Sequence, residues 1–129
     1  MSDERYVLDA SAVLAVALGE RGAENVYPLM ITAWISAVNL SEVVARLQDY
    51  GVADDAIDLS LGELDLNIVA FSGDHATVAG KLRRLTRPAG LSLGDRACLA
   101  LAIAEGATAV TMDRAWARLA LPVPVLLAR

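Results

Sequence analysis

Residues Tyr6 to Leu14 read YVLDASAVL. With Arg5, the first part (RYVLD) is a short apolar run rich in strand formers, and reads as a strand. The part that follows, SAVLAVALGERG, reads as a helix stopped by Gly19 or Gly22. Asp9 stands at the junction. A charge between two segments that are both to be buried is costly unless it is paired or bound to a metal. The same placement recurs down the chain. Glu42 lies in SAVNLSEVVARL, Asp95 in LSLGDRACLALAIA and Asp113 in TAVTMDRAW.

Outward from this stretch, strands and helices alternate. AENVYPLM reads as a short helix bent at Pro28, and AWISAV as the second strand. From Asn39 to Tyr50, Leu40, Val43, Val44 and Leu47 recur at helical spacing. ADDAIDLSLGEL reads as a helix whose acidic start suits the helix dipole. DLNIVAFS is the third strand, and Asp74 to Arg87 a helix with His75, Val78, Ala79, Leu82 and Leu85 on one stripe. Lys81, Arg83, Arg84 and Arg87 fall largely off that stripe and read as a solvated face, with nucleic-acid contact there the weaker alternative. LGDRACLALAIAEG is apolar on nearly every side, so it belongs at the centre. TAVTM is the fourth strand, a short helix carries Trp116 and Leu119, and VPVLLA is a terminal strand whose prolines favour an edge. The alternation predicts an α/β fold: a three-layer α/β/α sandwich with a central, mostly parallel sheet of about five strands, one domain over residues 1–129.

Composition narrows the function. The chain has 129 residues, 56% of them hydrophobic and only 5% aromatic, so its core is aliphatic. A net charge of -5 argues against coating nucleic acid by bulk electrostatics, though not against a local basic face. Cys98 is the sole cysteine, which excludes an intrachain disulfide and fits a reducing compartment; its apolar setting marks it as a packing residue. The N-terminus lacks the basic start of a signal peptide, and its apolar run is far shorter than the roughly 20 residues that span a bilayer. The expectation is a cytoplasmic protein with no membrane partner.

Each acid has a local explanation. Asp9 can cap the helix that follows it, and Asp113 the helix carrying Trp116. Glu42 can close a capping box with Asn39, and Asp95 one with Ser92. Each cap is worth about 1 kcal/mol. Taken together, the acids have a shared explanation as well. In an open parallel sheet, sites form at the carboxyl ends of the strands, and all four acids fall at that edge. A cap can equally be Ser, Thr or Asn, whereas only a cation rewards four carboxylates brought together; without one, their repulsion raises their pKa values. An all-oxygen set suits Mg²⁺ or Mn²⁺ rather than zinc. The single histidine, His75, leaves no Ser–His–Asp or Cys–His pair, and GLSLGDRA lacks the Lys and spacing of a P-loop. One observation resists: Glu42 lies off the apolar stripe of its helix and could simply face water.

In order, the constellation is Asp9-x-Ser11, Asn39-x-x-Glu42, Ser92-x-x-Asp95-Arg96 and Thr111-x-Asp113. This resembles the PIN domain, and in particular the VapC-type toxins of bacterial toxin–antitoxin pairs. The resemblance spans essentially the whole chain in length, element order and acid order, with Trp116 standing where a Phe is expected. It implies an endoribonuclease dependent on Mg²⁺ or Mn²⁺, in which Asp9, Glu42, Asp95 and Asp113 form the catalytic metal site. Asp9 and Asp95 are then the principal ligands, completed by Glu42 and Asp113 directly or through water. Ser11 and Asn39 would orient ligands or water. Arg96 and Arg114, next to acids in sequence, are candidates for phosphate contact, against a plain reading as surface charges or ion-pair partners. The resemblance also implies an RNA substrate, an antitoxin partner that blocks the acidic site, and a homodimer.

Rival readings fare worse. A receiver-like phosphoacceptor domain wants adjacent acids after an early strand and a late Lys, and VPVLLAR offers none. A haloacid-dehalogenase-like phosphatase wants Asp-x-Asp where this chain has Asp9-x-Ser11. The remaining alternative is a catalytically silent PIN-like module that binds RNA or protein.

Overall fold

In β1 (Tyr6–Leu8), Val7 and Leu8 are both buried, and they belong to different cores. Val7 clusters with Cys98, Leu99 and Trp116; Leu8 clusters with Val13, Ile35 and Val110. Adjacent strand residues point to opposite faces, so a strand buried at both positions needs a layer on each side. The computed structural model of the protein, which describes residues 4–129, has both layers.

Five strands form one all-parallel sheet. Its order is β3 (Asn67–Val69), β2 (Trp34–Ser36), β1, β4 (Thr108–Thr111), β5 (Val125–Leu127). Val7 pairs with Trp34 on one side and Ala109 on the other. From β1 the chain steps outward to β2 and β3. The helices of this half are α1 (Ala10–Leu18), α2 (Ala23–Val26), α3 (Ala37–Asp49) and α4 (Asp54–Leu64), and their buried residues join the core of Leu8. The chain returns through α5 (Gly73–Lys81), α6 (Arg83–Thr86) and α7 (Leu93–Glu105) over the core of Val7, and lays β4 and β5 on the open side of β1. Strand order therefore reverses at β1. A crevice opens at such a switch point, beyond the carboxyl ends of β1 and β4.

The three-layer α/β expectation holds, with every strand parallel. The terminal strand is at an edge, and α7 is central: Ala97 to Ala102 are all buried. Cys98 is a buried free thiol. Among the described residues, no helix is long and apolar enough to cross a membrane.

Several boundaries differ from the sequence reading. The run AWISAV is strand only to Ser36, whose hydroxyl accepts the Val38 amide at 3.3 Å and caps α3. Strand-like Ile and Val mask that cap in the sequence. The stretch read as one helix from Asp74 to Arg87 is two helices meeting at Leu82, then a 3-10 turn over Arg87–Ala89. Gly80 weakens the last turn of α5. Thr86 donates its hydroxyl to the Leu82 carbonyl at 2.9 Å, a back-bond that bends helices. Helix α1 stops at Gly19 rather than Gly22, because Gly19 takes the left-handed conformation (φ 66°) of a helix end. At Pro28, α2 gives way to a 3-10 turn.

Candidate active site

Asp9 follows β1 directly and caps α1. Its Oδ1 accepts the Ala12 amide at 2.8 Å and the Ser11 hydroxyl at 2.7 Å. Its Oδ2 accepts the Thr111 hydroxyl at 2.5 Å. Both hydroxyls are themselves held. Ser11 Oγ accepts the Met112 amide and Thr111 Oγ1 the Asp113 amide, each at 3.0 Å. The residues just beyond β4 are thus clamped to the end of β1 through a carboxylate that is only 3% exposed.

Glu42 does not close a capping box with Asn39, because Ser36 is the cap of α3 and Asn39 lies within the first turn. Asn39 is buried and works across the cleft: its Nδ2 donates to Glu42 Oε1 and to the Gly94 carbonyl of α7, both at 2.9 Å. Glu42 in turn lies against Gly94, where a Cβ would fall on its carboxylate. Its departure from the apolar stripe is thereby explained: the side chain faces the crevice between α3 and α7.

Asp95 and Asp113 are caps, as their sequence settings suggested. Ser92 Oγ accepts the Asp95 amide at 3.2 Å, and Asp95 Oδ2 accepts the Ser92 amide at 2.9 Å. Asp113 Oδ1 accepts the Ala115 amide at 2.9 Å, starting a 3-10 turn over Arg114–Arg118. Capping occupies one oxygen of a carboxylate and leaves the other. Asp95 Oδ1, Asp113 Oδ2 and Glu42 Oε2 accept no hydrogen bond among the described residues, and Asp9 Oδ2 accepts one. All four acids and Ser11 line one cleft of about 430 Å³ at the carboxyl edge of the sheet.

Their electrostatics are shared. Burial pushes Asp9 up to about 6; its three hydrogen bonds oppose the rise and the charge of Asp95 adds to it. Burial likewise raises Glu42, with Asp95 adding and the Asn39 bond opposing. Asp95 is raised by burial and by Asp113, against the bonds from Ser92. Among the described residues, no three of these groups close tightly enough to hold an ion by protein atoms alone. The donors nonetheless suit a hard divalent cation that keeps several waters: every candidate ligand is a carboxylate oxygen, and Gly94 leaves the space that Glu42 occupies.

The two arginines separate. Arg114 is exposed and lines a hollow adjoining the cleft. Arg96 is half-buried and does not line the cleft; its guanidinium donates to the Ala79 carbonyl at 2.9 Å and ties α5 to α7. Sequence reasoning gave no role to Thr111, Gly94 or Arg46, the last of which lines the cleft one turn beyond Glu42. Thr111-x-Asp113 mirrors Asp9-x-Ser11, a hydroxyl two residues from an acid, and that symmetry was the available signal for Thr111.

The sequence profile of the PIN domain matches residues 6–121. The chain belongs to the PIN-domain family. Its structural neighbours are VapC toxins of toxin–antitoxin complexes. The DNA-bound VapBC of Salmonella typhimurium superposes with a TM-score of 0.75 at 16% identity, over 95% of this chain and 97% of that one. A toxin–antitoxin complex from Klebsiella pneumoniae gives 0.73 at 20% identity, over 96% and 98%. A VapC toxin of Mycobacterium tuberculosis that cleaves the sarcin–ricin loop gives 0.72 at 16% identity, over 92% and 99%. At such identities the likeness is one of fold. No curated protein sequence matches the chain significantly.

Proposed function

We propose that this PIN-domain protein is a metal-dependent endoribonuclease and the toxin of a toxin–antitoxin pair. The observation that carries the reading is the convergence of four carboxylates from four segments on one cleft, three of them fastened by one oxygen and open at the other, and Asp9 held at both. Asp9 and Asp95 would be the principal ligands of Mg²⁺ or Mn²⁺, with Glu42 and Asp113 completing the site directly or through water. Such an ion supplies Lewis-acid charge to the phosphoryl oxygens of a phosphodiester. The chain's own residues fix the geometry. Ser11 and Thr111 hold the Asp9 carboxylate against rotation, and Asn39 holds Glu42 so that Oε2 stays free. Burial chiefly, and the neighbouring acid in smaller part, push Asp9, Glu42 and Asp95 upward, and a bound cation would relieve the cost of charging them. The relatives crystallised as toxin–antitoxin complexes support an antitoxin partner; in this proposal it would cover the acids, and the protein would assemble as a homodimer.

The test is cleavage of a structured RNA pool by purified, partner-free protein with Mg²⁺ or Mn²⁺, with EDTA, and with Asp95→Asn as the contamination control. Cleavage by the wild type alone, lost in EDTA and at least 100-fold weaker in Asp95→Asn, is expected, a loss on the scale of about 3 kcal/mol in the barrier. Metal binding without cleavage would favour the binding module. Neither cleavage nor metal binding would leave the acids as caps.

A further inference from the structure

The acidic cleft has a basic side. Two hollows open beside it, one lined by Arg46, Tyr50 and Arg129, the other by Arg21, Arg114 and Arg129. Ser11 lines the cleft and both hollows. Arg46 joins the cleft to the first hollow, Asp113 joins it to the second, and Arg129 and Met112 join the hollows to each other. Cleft and hollows are therefore one continuous groove.

Its four arginines come from four parts of the chain: after α1, from α3, from the 3-10 turn beyond Asp113, and after β5. No run of basic sequence gathers them; the fold does. All four are exposed. None makes an ion pair among the described residues, where the one ion pair joins Arg5 to Glu105. Arg46 feels the charge of Glu42, and Glu20, Asp49 and Asp113 also line the groove, yet among the described residues no acid closes a contact ion pair with any of the four arginines. In a chain of net charge -5, this is a local surface for an anion rather than bulk attraction. Guanidinium forks match phosphate geometry. Beside Arg46 and Arg129, the Tyr50 ring is 61% exposed, in a chain with few aromatics to spare. Cations alternating with an exposed ring form the surface that single-stranded nucleic acids use, phosphates on the charges and a base on the ring. An acidic peptide would use the charges and leave the ring idle.

We infer that the groove from Arg46 and Tyr50 past Arg129 to Arg21 and Arg114 seats the RNA strand flanking the cleavage point. The inference rests on the ribonuclease reading for what happens in the cleft, and is tested apart from it. Binding of a labelled single-stranded oligoribonucleotide is followed by fluorescence anisotropy in EDTA, across a salt series, with the full chain. The Arg21→Gln/Arg46→Gln variant should bind about tenfold more weakly or worse, and lose roughly 0.7 of salt slope for each arginine removed. Tyr50→Ala should weaken binding by about fivefold or more with the slope unchanged. Arg83→Gln/Arg84→Gln, on α6, should match the wild type. The substituted side chains are exposed, and an unchanged melting temperature checks that each variant is folded. No RNA binding by the wild type, or equal binding by the Arg21/Arg46 variant, would overturn the inference. So would displacement of the RNA by poly-glutamate at lower concentration than by unlabelled RNA, which would assign the groove to an acidic protein segment. Arginine-dependent binding with no cleavage in Mg²⁺ or Mn²⁺ would uphold the groove and sink the nuclease reading instead.

Discussion

Asp9 and Asp113 stand beyond the ends of neighbouring strands, and each caps the turn that follows it. Asp9 is 3% exposed and takes three hydrogen bonds; Asp113 is exposed and takes one. Equivalent positions in the sequence pattern have become an inner acid and an outer acid. The outer one gains a local cap at little desolvation cost. The inner one carries the cost of burial, so its surroundings must be built for it. Thr111 shows the difference, since its hydroxyl serves both acids at once, donating to the Asp9 carboxylate and accepting the Asp113 amide. Thr111→Val keeps the shape and removes both bonds, one of them to a buried charge. It should cost about 4 kcal/mol in denaturant unfolding, whereas Asp113→Ala, which loses a cap, should cost about 1 kcal/mol. Equal losses would mean that burial does not set the two acids apart.

A second contrast lies in pH. An aspartate in the unfolded chain titrates near 3.8, and Asp9 in the fold at about 6. Between those values the folded state binds the extra proton, so this group's contribution is fully present below about pH 4 and is lost as pH rises through 6. The loss is on the order of 3 kcal/mol, because each tenfold change in proton affinity is worth about 1.4 kcal/mol. Asp9→Asn has no such loss. In metal-free protein, the stability difference between Asp9→Asn and wild type should therefore grow in favour of the variant from pH 4 to pH 7. Mn²⁺ should shrink it, because the ion stabilises only the protein that can bind it. A difference that stays flat across this range would show that Asp9 is not carrying a burial cost.

The same inner-outer distinction explains what could be read in advance. The fold was legible because strand–helix alternation is a property of whole segments, and β1, α1, α7 and β4 each carry it strongly. The four acids were legible as a set because parallel topology brings strand ends to one edge. What held them was not. Ser36 sits in a run of strand formers, so its cap was invisible until the chain was seen to turn there. Asn39 reads as a helix cap by residue type, yet its amide spans to a carbonyl 55 positions away. Thr111 and Asp9 are 102 positions apart, and nothing local to either predicts the bond between them. The arginines of the groove have no sequence neighbourhood in common at all. Local rules expose the outer acids, whose partners are near in sequence, and miss the partners of the inner ones.

Gly94 brings this distinction to its smallest energetic scale. Gly94, the second residue of α7, and Gly62, in the last turn of α4, are both helical, where alanine is favoured by roughly 0.5–1 kcal/mol. At Gly62 an added Cβ meets nothing within 4 Å, so Gly62→Ala should gain close to that amount. At Gly94 the methyl would fall on the Glu42 carboxylate. Overpacking typically costs about 1–3 kcal/mol, which the helix gain partly offsets, so Gly94→Ala should lose only about 1 kcal/mol and stay folded. Its larger effect falls on the cleft. Glu42 must leave the position that Asn39 holds for it, and the rise in melting temperature expected of the wild type in Mn²⁺ should shrink, along with the proposed RNA cleavage. Gly62→Ala should keep both. If Gly94→Ala gained stability as Gly62→Ala does and kept the full Mn²⁺ shift, Glu42 would belong with the outer acids, free to move and not required to sit where it does.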